Sequence, residues 1–164
     1  MRTTLGFFVL AAIMAAPAAA QSTSGVGALQ YYVGTWSCQA GPVGQPASNA
    51  TVTYTLDSDI LRGWVNVPPQ GKMTTPYGVN IAISYDSKSN RYVQTQLDSQ
   101  ASWTTSSAQP WTGNTEQWTD QASADGKLGR SETVRTNQNA FTFNGYPSAT
   151  AAQPVFKGSC TRST

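Results

Sequence analysis

The chain of 164 residues contains no histidine. That absence removes Ser-His-Asp and Cys-His nucleophilic arrangements, the ordinary zinc sites, and any haem site that needs an axial histidine. Charge is scarce too: 11% of residues are charged, against about 25% in ordinary domains. Ten basic and eight acidic side chains nearly cancel, leaving a net +2, so no strong field invites nucleic acid or an anionic membrane surface. Beyond Ala20 no apolar run could span a bilayer. Helical periodicity is nearly absent, and no repeat, charge block or linker divides the chain. Cysteine occurs twice, at positions 38 and 160.

What is present begins with "MRTTLGFFVLAAIMAAPAAAQS". Arg2 supplies a basic start, Leu5 to Ala16 an apolar stretch too short for a transmembrane helix, and Ala18-Ala19-Ala20 a small-residue cleavage site. This predicts a signal peptide over 1–20, with the mature chain starting at Gln21 and running as one domain over 21–164. No cysteine follows the cleavage site to carry a lipid. The expected location is therefore the periplasm or the medium, with no membrane insertion after cleavage.

The remaining sequence alternates with a period of two, the mark of half-buried strands. "VTYTL" (52–56) sets Val52, Tyr54 and Leu56 against threonines; "GVNIAISYD" (78–86) sets Val79, Ile81, Ile83 and Tyr85 on one face. "RYVQTQLD" (91–98) follows a short polar turn, and "NAFTFNG" (139–145) pairs Phe141 with Phe143. "ADGK" (124–127) carries an Asp-Gly turn signal. The stretch "GVGALQYY" before the first strand reads as a helical turn. The prediction is an all-β antiparallel sheet of roughly eight to ten strands, long enough to curl into a barrel or split into a sandwich.

In an oxidising compartment Cys38 and Cys160 are expected to pair, the alternative being two free thiols. Residues opposite one another in an antiparallel pair keep a constant sum of positions. Cys38 with Cys160 and Trp36 with Arg162 share that sum. If the first and last strands pair with the cysteines opposite, Arg162 faces Trp36, a favourable cation–π geometry. Pairing of first and last strands closes a sheet into a barrel.

Gly34-Thr35-Trp36 after a helical turn, with Arg162 near the other end of the chain, resembles the signature of lipocalin-like proteins, the calycins. The stretches "ALQYYVGTWSC", "SYDSKSNRYVQTQLDSQ" and "GKLGRSETVRTNQNAFTF" are also similar to a secreted bacterial family known only as a domain of unknown function with that fold. The resemblance implies an up-and-down barrel whose closed end is plugged by Trp36 with Arg162 packed on it. It implies no agreed activity.

Carboxylates are the remaining chemistry. Asp57 and Asp59 lie two apart in "LDSDIL", and Glu116 and Asp120 bracket Trp118. A pair of acids could serve glycoside hydrolysis, yet "LDSD" equally suits a turn, and Glu132 between Arg130 and Arg135 suits a surface cluster. Trp103, Trp111 and Trp118, spaced among small polar residues, suit either stacking on sugars or half-buried positions at a barrel end. "NAT" (49–51) has the form of a glycosylation sequon.

These features converge on a non-catalytic barrel outside the cytoplasm that binds a small apolar or aromatic ligand. The expected cavity opens opposite the Trp36–Arg162 end. The expected ligand contacts are Tyr54, Tyr85, Thr95 and Trp103, with Thr95 on one inner face with Val93 and Leu97. No catalytic residue, cofactor, metal or nucleic-acid partner is expected. Two alternatives stand beside this one. The first is an enzyme using carboxylates at the barrel mouth, as a glycan hydrolase or a cyclase/isomerase. The second is a structural envelope protein with a filled barrel.

Overall fold

A computed structural model describes residues 25–163. The expected signal peptide lies outside the described residues. A 3-10 helix, Val26–Tyr32, leads into ten strands: β1 (Gly34–Pro42), β2 (Ser48–Asp57), β3 (Ile60–Val67), β4 (Tyr77–Asp86), β5 (Arg91–Asp98), β6 (Trp103–Ala108), β7 (Thr115–Ser123), β8 (Arg130–Asn137), β9 (Ala140–Tyr146) and β10 (Phe156–Arg162). Each strand pairs antiparallel with the next, and β1 pairs with β10 to close the barrel. The all-β antiparallel class is as the alternation predicts, the closed barrel is as the pairing of first and last strands implies, and the N-terminal helical turn is as read from "GVGALQYY". The β7–β8 connection carries Gly126 at φ +73°, a left-handed value that explains the Asp-Gly pair.

The closing register sets Cys38 opposite Cys160 and Trp36 opposite Arg162. The cysteines form a disulfide across a sequence separation of 122. In the chain-entropy account a loop of that length is worth about 5 kcal/mol at most. Among the described residues no helix is long and apolar enough to cross a membrane.

One end of the barrel is floored by the 3-10 helix, whose Val26, Leu29 and Tyr32 are buried. Trp36 is fully buried beneath it, and its Nε1 donates to the Tyr32 carbonyl at 2.7 Å. The Arg162 guanidinium lies 4.2 Å from the Trp36 ring centroid. Its Nη1 donates to the Val33 carbonyl at 2.6 Å and its Nη2 to the Tyr31 carbonyl at 2.8 Å. One side chain thus satisfies carbonyls at the end of the 3-10 helix that would otherwise lack partners. Gly34 permits this approach: its φ is +123°, and a Cβ there would sit 2.7 Å from Arg162 Nη1. Phe141 packs edge-on against Trp36 at 4.9 Å, and Tyr31 hydroxyl donates to the carbonyls of Asn137 and Ala140.

Candidate functional site

Above that floor the barrel encloses a cavity of about 490 Å³. It runs from Tyr32, Tyr54 and Glu116 near the floor to Pro42, Val67, Tyr77 and Phe156 at the opposite rim. Phe156 is 39% exposed and Pro42 is exposed, so the cavity opens at that rim.

Alternation sets each wall. On β2, β3 and β4 the inward residues are mostly apolar, with Val52, Val65, Val79, Ile81 and Ile83 lining the cavity. On β5, β7 and β8 the inward set includes Gln94, Gln96, Glu116, Ser131 and Thr133. Tyr54 lies flat over its cross-strand partner Gly63, where a Cβ would stand 2.6 Å from the Tyr54 ring. The missing side chain is what admits the ring.

Glu116 lies on β7 two residues before buried Trp118, on the same face, and is 2% exposed. Its Oε2 accepts from the Tyr32 hydroxyl at 2.9 Å and from Trp118 Nε1 at 3.0 Å. Its Oε1 has no hydrogen-bond partner. Burial pushes the carboxyl up to about 7, against the opposing pull of the Trp118 and Tyr32 hydrogen bonds and the Arg135 charge. Burial and the Glu116 charge hold the Tyr32 and Tyr54 hydroxyls well above the usual phenol range. Arg135 does not line the cavity. It stacks 3.5 Å from the Trp111 ring centroid and 4.3 Å from that of Tyr31, with Nη2 donating to the Ala28 carbonyl at 3.3 Å.

Of the four residues expected to touch a ligand, Tyr54 lines the cavity, near its floor rather than at the mouth. Tyr85 sits at the closed end, 5.5 Å from Tyr92, with its hydroxyl donating to Asn90 Oδ1 at 2.6 Å. Trp103 is 42% exposed on the outside near the open end. Thr95 corrects the expected parity of β5: it is exposed, as are Val93 and Leu97, while Tyr92, Gln94 and Gln96 point inward. Apolar residues lie on the outer face of this strand and amides on the inner one. Hydrophobicity therefore selects the wrong face.

The acids separate. Asp57 is exposed and pairs with Arg62 at 3.4 Å, Asp59 is exposed, and Glu132 accepts from Gln117 Nε2 at 3.1 Å. Asp120 accepts from the Ser106 hydroxyl and from the Gly129 amide. Glu116 is the single carboxylate among the residues lining the cavity, and among the described residues no group of three or more His, Cys, Asp or Glu is placed to hold a metal ion. The signal that would have found Glu116 is its parity with Trp118: a tryptophan facing inward takes the residue two before it to the same side.

No protein-family profile matches the chain, and no curated protein sequence matches it. Among solved structures it is similar to a redesigned beta barrel, at 8% identity and a TM-score of 0.45, covering 84% of this chain and 96% of that one. It is also similar to a de novo designed fluorescence-activating beta barrel, at 14% identity and a TM-score of 0.45, covering 83% of this chain and 97% of that one.

Proposed function

We propose that this is a non-catalytic, lipocalin-like binding barrel that works outside the cytoplasm and holds a small apolar or aromatic molecule in its interior. The observation that carries the reading is the cavity of about 490 Å³, continuous from the aromatic floor to an open rim. That volume falls within the range of about 300–1,000 Å³ typical of small-molecule sites, and the mixture of apolar lining with a few polar groups is also typical. Tyr32, Tyr54, Trp118 and Phe141 are among its aromatic contacts; Trp36 and Arg162 close the far end. The disulfide accords with an oxidising compartment, and with the signal peptide read from residues 1–20 it supports a periplasmic or secreted protein. A barrel interior of this volume gives the filled, structural alternative no support.

A second reading rests on one observation. A carboxyl that titrates near 7 inside an apolar cavity is poised for general acid–base chemistry, so an isomerase or cyclase using Glu116 alone remains a competitor. The paired-acid glycosidase has no such support, since Asp57 and Asp59 lie on the surface.

The test is fluorescence titration with a neutral hydrophobic probe. Saturable quenching of tryptophan emission is expected, because Trp118 lines the cavity. Ile81→Trp, which fills the middle of the cavity, should abolish the quenching while leaving the far-ultraviolet spectrum of the barrel unchanged. Absence of saturable binding by the unmodified protein would overturn the proposal.

A further inference from the structure

The cavity holds one ionisable carboxylate and, among its lining residues, no lysine or arginine. Glu116 is 2% exposed, and both groups bonded to its Oε2, the Tyr32 hydroxyl and the Trp118 indole, are donors. Donors on one oxygen stabilise the ionised form, yet Oε1 meets no partner at all. A buried charge with half its acceptor capacity unused is costly unless something supplies the missing donor and the opposite charge. The Arg135 charge acts on Glu116 without touching it: its guanidinium is stacked on Trp111 and Tyr31 behind the floor and bonds to the Ala28 carbonyl, so it supplies no donor to Oε1.

We infer that the occupant of this cavity is an apolar amine: a hydrocarbon or aromatic body carrying one protonated nitrogen, which pairs with the Glu116 carboxylate at the floor. The inference rests on the binding function proposed above and specifies its ligand class. The rings of Tyr32, Tyr54, Trp118 and Phe141 line the same end of the cavity, and aromatic faces favour a cation beside them. The body of the ligand lies against Val65, Val79 and Ile81. An organic acid would set carboxylate against carboxylate. A neutral hydroxyl would satisfy Oε1 without balancing its charge.

The pH dependence isolates the anchor. The titratable and charged groups that face Glu116 are Tyr32 from the 3-10 helix, Tyr54 from β2, Tyr92 from β5 and Arg135 from β8. The three phenols are raised above their ordinary value, so they stay neutral below pH 9, and Arg135 stays charged. Between pH 6 and pH 8 Glu116, at about 7, is the member of this set that changes charge. An aliphatic amine remains protonated throughout.

The experiment compares 1-naphthylmethylamine, 1-naphthalenemethanol and 1-naphthoic acid by fluorescence titration at pH 6 and pH 8. The amine should bind at least tenfold more tightly than the alcohol at pH 8, and its affinity should fall about tenfold on going to pH 6 as the carboxylate is protonated. The alcohol should bind with little change. Glu116→Gln should erase both the preference for the amine and its pH dependence while alcohol binding persists; the wild-type pH comparison stands even if that variant folds poorly. An amine no tighter than the alcohol, an amine preference that survives Glu116→Gln, or tightest binding by the acid would each overturn the inference. If a neutral hydrophobic probe binds and the amine shows no preference, this inference alone fails. If neither the probe nor any of the three binds, the binding function fails with it.

Discussion

The wall of the cavity built by β2, β3 and β4 and the wall built by β5, β7 and β8 face the same space with opposite chemistry. The first presents valines and isoleucines; the second presents Gln94, Gln96, Glu116, Ser131 and Thr133. Both belong to one closed sheet with one alternation, so the backbone does not distinguish them. The difference lies in which face of each strand carries the apolar residues. On β4 the apolar set Val79, Ile81 and Ile83 points in. On β5 the apolar set Val93 and Leu97 points out, each at least 40% exposed. A two-sided lining suits an occupant with an apolar flank and a polar one, and it explains why a barrel can have an interior that hydropathy alone does not locate.

The largest effect expected from breaking this contrast is on the apolar wall. Ile83 is 3% exposed, and Ile83→Ala should cost about 2–4 kcal/mol of stability, since the transfer energy is lost and a void remains beside the floor. Chemical denaturation with an unchanged m-value would establish it. A cost below about 1 kcal/mol would mean that the existing cavity already relieves the packing there.

The polar wall should speak through pH instead. Below about pH 4.5, the ordinary glutamate value, the carboxyl of Glu116 is protonated whether the chain is folded or unfolded. Between about 4.5 and 7 the folded protein keeps a proton that the unfolded chain has released. Stability should therefore fall as pH rises through that window, by about 1.4 kcal/mol per unit and on the order of 3 kcal/mol in all, and level off above it. Thermal melts of wild type and Glu116→Gln from pH 4 to pH 9 would check this. The slope attributable to Glu116 should vanish in the variant, and a slope unchanged by the substitution would place its origin elsewhere.

Much of this architecture is legible in the sequence, for physical reasons that differ by residue. Val52, Tyr54, Ile81 and Ile83 could be assigned to an inner face because hydrophobicity and burial coincide on those strands. The β1–β10 register followed from the positions of Cys38 and Cys160, since a covalent link removes the freedom to slip. Hydropathy puts Thr95 on the wrong face because β5 reverses the usual coincidence. The constant-sum rule corrects it: Asp86 pairs with Arg91 across the turn and Ile81 with Gln96, so odd positions on β4 face even ones on β5. Glu116 was legible as an acid near a tryptophan, but its burial was not, because polarity argues for the surface and only the closed barrel makes an interior on that side.

The smallest effect should come from the outer face. Thr95→Ala removes an exposed side chain, and it should leave both stability, within about 0.5 kcal/mol, and probe affinity unchanged. A measurable loss of probe binding would show that the outer surface of β5 contributes to the site, and the contrast between the walls would no longer hold.

The pairing of β1 with β10 also has a consequence for assembly. Every other pairing joins strands that follow one another in sequence, so nine hairpins can zip up locally and early. The last seam cannot form until residue 160 and its neighbours are available to meet residue 38. Until then the sheet has two unpaired edges, and each offers its backbone to any other chain nearby. Closure and oxidation are therefore coupled events at the end of folding: the seam brings the two thiols together, and the bond then holds the seam shut. A chain kept reduced has a route to pairing with another copy edge to edge, which the oxidised barrel does not.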